Sequence, residues 1–429
     1  MSYPKIAEIS QRLNETRVRD IDATLADEMR RVGLSARIKT GSRVAITAGS
    51  RGIKDMVAVL RGAANEVKKT GAQPIIIPSM GSHGGATAEG QTEMLQGLGV
   101  TEETIGAPIV SSMDVVDLGT TEEGIPVVLS KDAMECDGII VVNRIKPHTE
   151  FHGRIESGLT KMMVIGLGKH QGAIYAHSWA VRFGYERTLI SSGHHIIEHA
   201  PITLGVGIVE NGFGQATRIE ATTPENFIEE EAKLLELARE TCPHLPFDRL
   251  DVLVVDESGK EISGTGMDTK VIGRIMNIYE PPLDHPHITR IVLRDLTEIS
   301  HGNGLGIGLV DFVTQRVVDK LNRAFTDVNC VTAVTPEKGR LPIVGKTDKA
   351  AVDYAFASAG PITAGDVRLC WIRNTTTLDR MFVSEALLDE VEAHPELEVV
   401  SALMEMRFNE NGDLMAPSAN GSNRLTNPL

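Results

Sequence analysis

Cysteine and aromatic residues are scarce in this chain of 429 residues, and long hydrophobic runs are missing. The four cysteines stand far apart and form no Cys-x-x-Cys pair, so we expect neither structural disulfides nor a thiolate zinc site. An aromatic content of 4% disfavours the stacking platforms that bind single-stranded nucleic acids. No apolar segment is long enough for a membrane span, and the polar start MSYPKIAEISQRLNETRVRD lacks the apolar region of a secretory signal. A cytoplasmic protein is therefore expected.

Positive charge is also in deficit, because the formal net charge is −15. Such a chain lacks the basic surface that binds nucleic acids or anionic membranes, and we expect neither as a partner. A small anionic substrate is compatible with this charge, because a few cations can dominate the potential inside a cleft. Hydrophobic residues form 41% of the chain, which is enough for roughly two or three domains.

Short apolar strands alternate with glycine-rich loops and helical stretches in the first half of the chain. Strands are predicted at 43–47, 74–78 and 138–143, and Thr87 is expected to cap a helix through AEGQTEMLQGLG. Apolar strands that alternate with helices are typical of a parallel sheet covered on both faces. We therefore predict an N-terminal α/β domain with a mostly parallel sheet.

The segment TCPHLPFDR, residues 241–249, interrupts this pattern with two prolines. A second series of strands follows at 250–255, 288–296 and 366–374. The fold is accordingly predicted to be α/β, with two α/β domains and a cleft between them. The expected parts are an N-terminal cofactor-binding domain (1–245), a C-terminal domain (246–410) and a polar tail (411–429).

Three polar side chains, Arg51, His83 and His148, each follow a different predicted strand. Ligands of parallel α/β sheets bind at the carboxyl ends of strands, so the fold can bring these residues into one crevice. The guanidinium of Arg51 can hold a carboxylate, and two histidines can act as acid and base near neutral pH. The competing interpretation is that each residue is an ordinary loop residue that faces water or caps a helix.

Residues 145–179 hold four histidines, three lysines and five glycines, more than any other stretch. Glycines such as Gly153 and Gly158 allow the backbone to approach a bulky ligand, and their amides can hold a phosphate. The stretch matches neither GxxxxGK[ST] nor GxGxxG, so a standard nucleotide site is poorly supported. The simpler alternative is a glycine-rich connection between a strand and a helix.

A zinc site is the second enzymatic interpretation of this stretch. His148 and His152 have the i, i+4 spacing of zinc ligands on a helix. Pro147 and Gly153 disfavour a helix there, and the glutamate of an HExxH motif is missing. A zinc-dependent hydrolase is therefore an alternative to the function below, and a non-catalytic ligand-binding protein on the same scaffold is another.

The order of these motifs resembles the nickel-pincer nucleotide-dependent lactate racemase family of 2-hydroxy acid racemases and epimerases. The resemblance rests on Arg51, Gly-Ser-His at 81–83, Pro-His at 147–148, a glycine-rich segment up to Lys161, and His177. It covers most of the first domain and continues more weakly through DESGKEISGTGMD and HGNGLGIGLVDF.

The resemblance implies an isomerase whose cofactor is the nickel-pincer nucleotide, a pyridinium-3,5-bisthiocarboxylic acid mononucleotide that carries nickel. Lys161 would be its covalent tether, His177 a nickel ligand, and Gly153 and Gly158 part of its binding segment. The expected partners are a small 2-hydroxy acid and the proteins that make the cofactor, and the oligomeric state is left open.

By the same resemblance, His83 and His148 would be the catalytic acid and base, and Arg51 and Lys260 would hold the substrate. The sequence departs from the family pattern at the tether, where SGLTKMMVIGLG replaces GGRK…PG. Two alternatives therefore stay open: Lys169 competes with Lys161 as the tether, and the substrate is either lactate-like or a larger dicarboxylic or sugar acid.

Overall fold

Strands and helices alternate along the chain, and the α/β class predicted from the sequence is confirmed. The computed structural model describes residues 2–50 and 53–416. Arg51, Gly52 and residues 417–429 lie outside this part, so the proposed role of Arg51 and most of the predicted tail stay predictions.

The strands in the described residues are β1 (Lys5–Gln11), β2 (Arg43–Ala48), β3 (Gln73–Pro78), β4 (Val115–Thr120), β5 (Pro126–Ser130), β6 (Gly138–Arg144), β7 (Ile202–Glu210), β8 (Ala216–Thr222), β9 (Arg249–Ser258), β10 (His287–Leu296), β11 (Phe312–Thr314), β12 (Ile343–Gly345), β13 (Leu369–Ile372), β14 (Arg380–Ser384), β15 (Leu397–Val399), β16 (Met404–Glu405), β17 (Arg407–Phe408) and β18 (Leu414–Met415).

The α-helices in the same residues are α1 (Ile21–Arg31), α2 (Leu34–Arg37), α3 (Met56–Lys69), α4 (Ala88–Gly97), α5 (Glu102–Ile105), α6 (Lys131–Met134), α7 (Leu159–Lys161), α8 (Lys169–Phe183), α9 (Tyr185–His199), α10 (Phe227–Thr241), α11 (Thr269–Ile272), α12 (Gln315–Lys320), α13 (Arg323–Thr332), α14 (Asp348–Ser358) and α15 (Leu388–Ala393). A π-helical segment spans Met162–Leu167, and short 3-10 helices span Gly84–Ala86, Pro224–Asn226, Glu298–Ser300, Ile307–Leu309, Pro336–Gly339 and Glu385–Leu387.

Residues 14–242 form one compact unit around a five-stranded sheet in the order β3-β2-β6-β7-β8. The first four strands run parallel and β8 runs antiparallel to β7, which confirms the mostly parallel sheet. Because β2, β3 and β6 are parallel neighbours, the loops that follow them leave the same edge of the sheet. These are the loops that carry the sequence-predicted site residues.

Both faces of this sheet are covered, as its apolar strands require. On one face, Leu25 of α1 and Val59 of α3 join a core with strand residues such as Ile46 and Ile140. On the other face, a Cβ built on Gly205 of β7 would lie 2.7–2.9 Å from Leu159 and Phe227. Glycine at that position therefore lets the segment around Leu159 and helix α10 pack directly on the sheet.

The capping residue predicted for α4 is found where the sequence places it. The Thr87 side chain accepts a hydrogen bond from the Gly90 N–H at 3.1 Å, and the helix starts at Ala88. A threonine at this position satisfies one of the N–H groups that have no partner inside the helix. Thr87 thereby ends the loop that contains His83.

A second compact unit combines the first strand with the chain from residue 243 onward. Its sheet has the order β12-β11-β10-β9-β13-β14-β1-β15, with β16 also beside β1. The strands from β12 to β13 run parallel, whereas β14, β1 and β15 pair antiparallel. Val252 and Val254 face one core and Leu253 and Val255 face the other, which is typical of a strand buried on both sides.

The two compact units differ from the predicted domain ranges at both ends of the chain. Strand β1 pairs with β14, although the prediction assigned residues 1–245 to one domain. Residues 411–416, assigned to the polar tail, include β18, which pairs with β17. The domain ranges and the cleft stay predictions.

The four cysteines are free thiols, as expected from their spacing. Within residues 2–50 and 53–416, no helix combines the length and the apolar character needed to cross a bilayer. The cytoplasmic location stays a prediction.

A buried ion-pair network holds together the second unit. Asp348, at the start of α14, is fully buried and accepts bonds from Arg294 at 2.6 Å and from Arg316. The same carboxylate accepts a bond from the Leu414 N–H at 2.9 Å. Asp348 therefore connects β10, α12 and the C-terminal hairpin, and its loss removes the one fully buried carboxylate that Arg294 and Arg316 share among the described residues.

We expect Asp348→Ala to lower the free energy of unfolding of this unit by about 3–5 kcal/mol, since removing one partner of a buried pair leaves uncompensated charge. Asp327→Ala, which breaks the exposed pair with Arg323, is the control and should cost less than about 1 kcal/mol. Urea unfolding followed by Trp371 fluorescence in a Trp179→Phe background measures both changes. Equal effects of the two substitutions would refute this role.

Candidate active site

Two loops and the end of strand β6, all at the carboxyl edge of the five-stranded sheet, meet the segment of residues 158–168. A Cβ built on Gly49, after β2, would lie 3.2 Å from the Met162 side chain. After β3, the Gly81 N–H donates to the Gly166 carbonyl at 3.4 Å. From β6, the Asn143 amide donates to the Gly158 carbonyl at 2.7 Å. The segment therefore lies across the edge at which parallel sheets bind ligands.

Lys161 and His148 meet directly in this arrangement. The Lys161 Nζ lies 2.6 Å from the His148 Nε2, although the two residues are 13 positions apart. Lys161 ends the short helix α7, immediately before the π-helical segment Met162–Leu167, and such segments occur frequently at functional sites. Both residues were predicted as site residues from the sequence, but the contact between them is seen only in the tertiary structure.

The loop around His148 is fixed by a buried carboxylate. Glu156 Oε2 accepts a hydrogen bond from the His148 backbone N–H at 2.5 Å. Its Oε1 accepts from the Arg239 guanidinium at 2.7 Å and lies 3.0 Å from the His152 Nδ1. The Glu156 side chain is fully buried, so these bonds replace its lost hydration. The loop is not helical, and His148 and His152 therefore do not form the helical zinc pair of the alternative interpretation.

The backbone next to Lys161 is held by a second buried carboxylate. Glu231 Oε2 accepts bonds from the Thr160 N–H at 2.8 Å and from the Thr160 hydroxyl at 2.7 Å. Burial raises the pKa of Glu231 to about 7, although the Thr160 bonds act in the opposite direction. Glu231 thus fixes the backbone at the start of the segment of residues 158–168, and it gains or loses its proton near neutral pH.

His177, on α8, lies beside a buried tyrosine. Its Nδ1 is 2.9 Å from the Tyr185 hydroxyl, and the two rings meet edge to face. Burial, together with the positive charge of Lys161, lowers the pKa of His177 to about 4. His177 is therefore a neutral imidazole at pH 7, the form that binds metals, and its Nε2 is the nitrogen that Tyr185 does not engage.

Lys169, the competing tether, is bonded in the interior of the protein. Its side chain is fully buried and Nζ donates to the Pro78 carbonyl at 2.7 Å. Burial lowers the pKa of this amine to about 8. These contacts give Lys169 a structural role beneath the loop after β3.

The remaining predicted residues have well-defined surroundings. His83 Nδ1 lies 2.5 Å from the Ser50 hydroxyl, which joins the loops after β3 and β2. A Cβ on Gly158 would collide with the buried Glu231 side chain, so packing favours glycine there, and a Cβ on Gly153 would lie 3.0 Å from the Glu186 side chain. Lys260, in the second unit, donates to the Asn329 side chain. Cofactor and substrate binding by these residues stay predictions.

Sequence reasoning missed Glu156, Tyr185, Glu231 and Arg239. Only Glu231 carries a signal in the sequence, because it falls on the apolar stripe of α10, between Phe227 and Leu235 at intervals of four residues. A buried helix face that contains one carboxylate indicates a specific polar partner. Glu156, Tyr185 and Arg239 have no comparable pattern.

Among the described residues, no group of three or more histidine, cysteine, aspartate or glutamate side chains is placed to hold a metal ion. The arrangement is instead a lysine in contact with one histidine, beside a second, neutral histidine. Fold and site together define an α/β protein with a lysine–histidine centre at the carboxyl edge of a parallel sheet.

Comparison with known proteins finds a match for the part of the chain that contains this centre. Residues 5–186 match the family model of the lactate racemase N-terminal domain, so this part of the chain carries that domain. The resemblance found in the sequence is thereby confirmed for this part of the chain. The match includes His83, His148, Lys161 and His177.

Solved structures support the fold at low sequence identity. The lactate racemase apoprotein from Thermoanaerobacterium thermosaccharolyticum is similar with a TM-score of 0.56 and 13% identity, over 87% of this chain and 99% of that chain. A Thermotoga maritima protein solved by the Northeast Structural Genomics Consortium is similar with a TM-score of 0.54 and 13% identity, over 86% and 99%. No curated protein matches the chain.

We expect Glu231→Gln to change the pH dependence of stability. The native carboxyl keeps its proton up to pH about 7, whereas the unfolded one loses it near 4.5, so its contribution to stability falls as pH rises through this window. Glutamine does not titrate, so the stability of the variant does not fall with pH for this reason. Its free energy of unfolding relative to wild type should therefore rise from pH 4.5 to 7, by on the order of 2–3 kcal/mol.

Urea unfolding followed by circular dichroism at pH 5 and pH 7.5 measures this difference. His177 gives the opposite slope in both proteins, because its lowered pKa favours the native state as pH rises, and it cancels in the comparison. Glu240→Gln, at an exposed position on the same helix, is the control and should give a flat difference. A flat difference for Glu231→Gln as well would contradict the assignment.

Proposed function

We propose that this protein is a racemase or epimerase of a 2-hydroxy acid that uses a lysine-tethered nickel-pincer nucleotide. The observation that carries the proposal is the 2.6 Å contact between Lys161 and His148, inside the segment that matches the lactate racemase domain. It brings the expected tether and an expected acid–base group to one point at the carboxyl edge of the sheet. The neutral His177 on α8 supports the same assignment.

The available donors fit this cofactor. A group that brings its own sulfur and carbon ligands needs one protein ligand for nickel, and a neutral His177 supplies it. An amine tether needs a lysine at the ligand-binding edge, and Lys161 meets this requirement better than Lys169, whose Nζ is bonded to Pro78 in the interior. Partner proteins that make and load the cofactor belong to this proposal.

The chemistry divides between the bound group and the protein. When bound, the nickel-pincer nucleotide supplies a reversible acceptor for the hydrogen on the substrate carbon. His83 and His148 take the hydroxyl proton and return it, one for each enantiomer, since a two-way reaction needs an acid and a base on both sides. The half-buried His148 ring lies beside the buried rings of Phe151 and Tyr185, which reduces the access of water to a keto acid intermediate on that side.

The substrate carboxylate is assigned to cationic side chains. Arg51 follows β2 in sequence, next to Ser50, whose hydroxyl contacts His83. A guanidinium there can bind a carboxylate with two parallel hydrogen bonds. Lys260 is proposed as a second cation, and its bond to Asn329 holds the amine in place. Lactate-like, dicarboxylic and sugar-derived 2-hydroxy acids are the candidate substrates.

The zinc-dependent hydrolase and the non-catalytic binding protein have weaker support. His148 contacts Lys161 and His152 contacts Glu156, on a loop without helical structure. A chain that had lost catalysis would be free to lose Lys161, His83, His148 or His177, and all four are present.

We expect Lys161→Arg to abolish covalent loading. Wild-type protein made together with cofactor-biosynthesis proteins should exceed its sequence mass by one pyridinium mononucleotide, because only an amine can form the link to the thiocarboxyl group. Lys161→Arg keeps the positive charge and should show the sequence mass. His177→Ala should keep the organic adduct and lose nickel, since one of the four ligands is gone.

Intact-mass spectrometry and nickel analysis of the same preparations measure these results. Lys169→Met is the matched control, because it removes the competing amine while keeping an apolar stem in its buried position. If Lys169→Met loses the adduct and Lys161→Arg keeps it, the tether is Lys169.

We expect His83→Ala and His148→Ala each to lower turnover in both directions by about 10²–10⁴-fold, since each cycle uses one histidine as base and the other as acid. A substrate deuterated at C2 should show a primary isotope effect and keep most of its label, because the hydrogen returns to the carbon that it left. Chiral chromatography with mass detection, on cofactor-loaded enzyme and a panel of 2-hydroxy acids, measures both.

Rapid exchange of the C2 deuterium with solvent would indicate direct deprotonation of carbon and would exclude this mechanism. His170→Ala is the control for a histidine substitution on the same stretch, because His170 is exposed on α8. Its turnover should match that of the wild type.

A further inference from the structure

The sheet of the second unit reverses its strand order at one point. From β9 the chain adds β10, β11 and β12 in succession on one side, and it then returns to place β13 on the other side of β9. These five strands run parallel. In open α/β sheets, ligands bind in the crevice outside the carboxyl ends of the strands at such a reversal. The carboxyl ends of β9 and β13 are therefore where this unit is expected to bind a ligand.

A cavity of about 790 Å³ lies at this point. The carboxyl ends of β9, β10 and β13 line it together with the C-terminal hairpin of β17 and β18. Its volume is within the range of small-molecule sites. Arg294 fixes the hairpin to the sheet, because it donates to the Leu414 carbonyl at 2.9 Å and to the buried Asp348 at 2.6 Å. The walls of the cavity are thus held in place without a ligand.

The charged side chains that line the cavity are paired with one another. Five carboxylates and four cations are among the lining residues, and each of these cations is bonded to at least one carboxylate. A charged ligand would compete with a fixed side chain for its partner, whereas a neutral ligand leaves the ion pairs intact. The lining therefore favours a neutral polar ligand over an anion or a cation.

One of these pairs, Glu257 with Arg373, bridges the crevice itself. Glu257 belongs to β9 and Arg373 follows β13, and the Arg373 Nε donates to Glu257 Oε1 at 2.9 Å. The Asn374 amide donates to the same oxygen at 2.9 Å. Within the part of the chain that the structure describes, Glu257 Oε2 and the two terminal nitrogens of Arg373 have no hydrogen-bond partner. An acceptor and two donors therefore lie side by side at the reversal of the sheet.

Two adjacent hydroxyl groups match this arrangement. A hydroxyl both donates and accepts, so one can donate to Glu257 Oε2 while its neighbour accepts from a terminal nitrogen of Arg373. Hydrogen bonds with an ionised partner are roughly twice as strong as neutral ones. In dinucleotide-binding sheets, a carboxylate near the same kind of crevice binds a ribose hydroxyl for this reason.

We propose that the cavity is a second ligand site of this protein, which binds a neutral sugar or polyol through two adjacent hydroxyls held by Glu257 and Arg373. The inference goes beyond the proposed function, because the site lies wholly in the second unit and shares no residue with the lysine–histidine centre. The described residues that line it also do not include Lys260, the second cation assigned to the substrate carboxylate.

The test uses the full-length protein with Trp179→Phe, which leaves Trp371 as the one tryptophan. Trp371 lines the cavity, and its indole N–H donates at 2.6 Å to Asp256, another lining residue. Titration with myo-inositol, D-glucose and D-ribose should give a saturable fluorescence change for at least one of them, with a Kd of about 1 mM or tighter. Isothermal titration calorimetry on the same samples detects binding to which the fluorescence does not respond.

Three further probes define the chemistry of the site. Cyclohexanol, a ring with a single hydroxyl, is the matched control for myo-inositol and should not bind. Inorganic phosphate and putrescine represent an anion and a cation, and both should bind more weakly than the best neutral probe. Absence of binding by all three neutral probes, or tighter binding of phosphate, putrescine or cyclohexanol, would overturn the proposal.

Substitutions locate the bound probe. Glu257→Gln keeps the shape of the side chain and should weaken binding at least about 10-fold, the loss expected when hydrogen bonds to a charged group are removed. Arg373→Lys keeps the charge without the paired terminal nitrogens and should also weaken binding. Glu298→Gln, at a lining carboxylate that is 86% exposed, is the matched control and should keep the wild-type affinity. Lys260→Ala should keep it as well, and loss of binding there would place the probe at the proposed substrate contact and refute the second site.

A soaked crystal of the wild-type protein gives an answer that does not depend on the folding of any variant. The hydroxyls of the tightest neutral probe should lie within hydrogen-bond distance of Glu257 and Arg373. A probe bound elsewhere in the protein would contradict the assignment.

Discussion

Helix α10 positions both partners of the lysine–histidine centre, although neither partner belongs to it. Glu231, in its second turn, binds the Thr160 N–H and hydroxyl beside Lys161. Arg239, roughly two turns later, binds the buried Glu156 carboxylate, which in turn holds the His148 N–H. One helix packed on the sheet therefore sets the distance between Lys161 and His148 through main-chain bonds.

Main-chain bonds hold the backbone on both sides of the contact between the Lys161 and His148 side chains. The Lys161 amine and the His148 imidazole are both bases, and they can lie 2.6 Å apart only if at most one of them is charged. Lys169 illustrates the opposite outcome on the same stretch. The Lys169 amine donates a hydrogen bond to the Pro78 carbonyl in the interior, and its side chain is fully buried in the core of the unit.

The alternation of strands and helices could be predicted from local sequence alone. Residues 43–47, 74–78 and 138–143 were predicted as strands and lie within β2, β3 and β6, because apolar runs bounded by glycine and serine allow few other structures. Thr87 was predicted as a helix cap and is one, because capping is a local hydrogen bond. The partner of β1 could not be predicted, since β14 follows more than 350 residues later.

The sequence by itself determined the α/β class, the parallel sheet and the identity of the candidate residues His83, His148, Lys161 and His177. The class and the sheet follow from periodicity, and His83 and His148 from the rule that ligands bind at strand ends. Lys161 and His177 follow from the resemblance of the motif order to the lactate racemase family. Only the tertiary structure decided that Lys161 meets His148, that Lys169 is buried, and that Glu156, Glu231 and Arg239 hold the centre. The physical reason is that hydrogen bonds between distant segments depend on how those segments pack. The spacing of residues along the chain does not determine that packing.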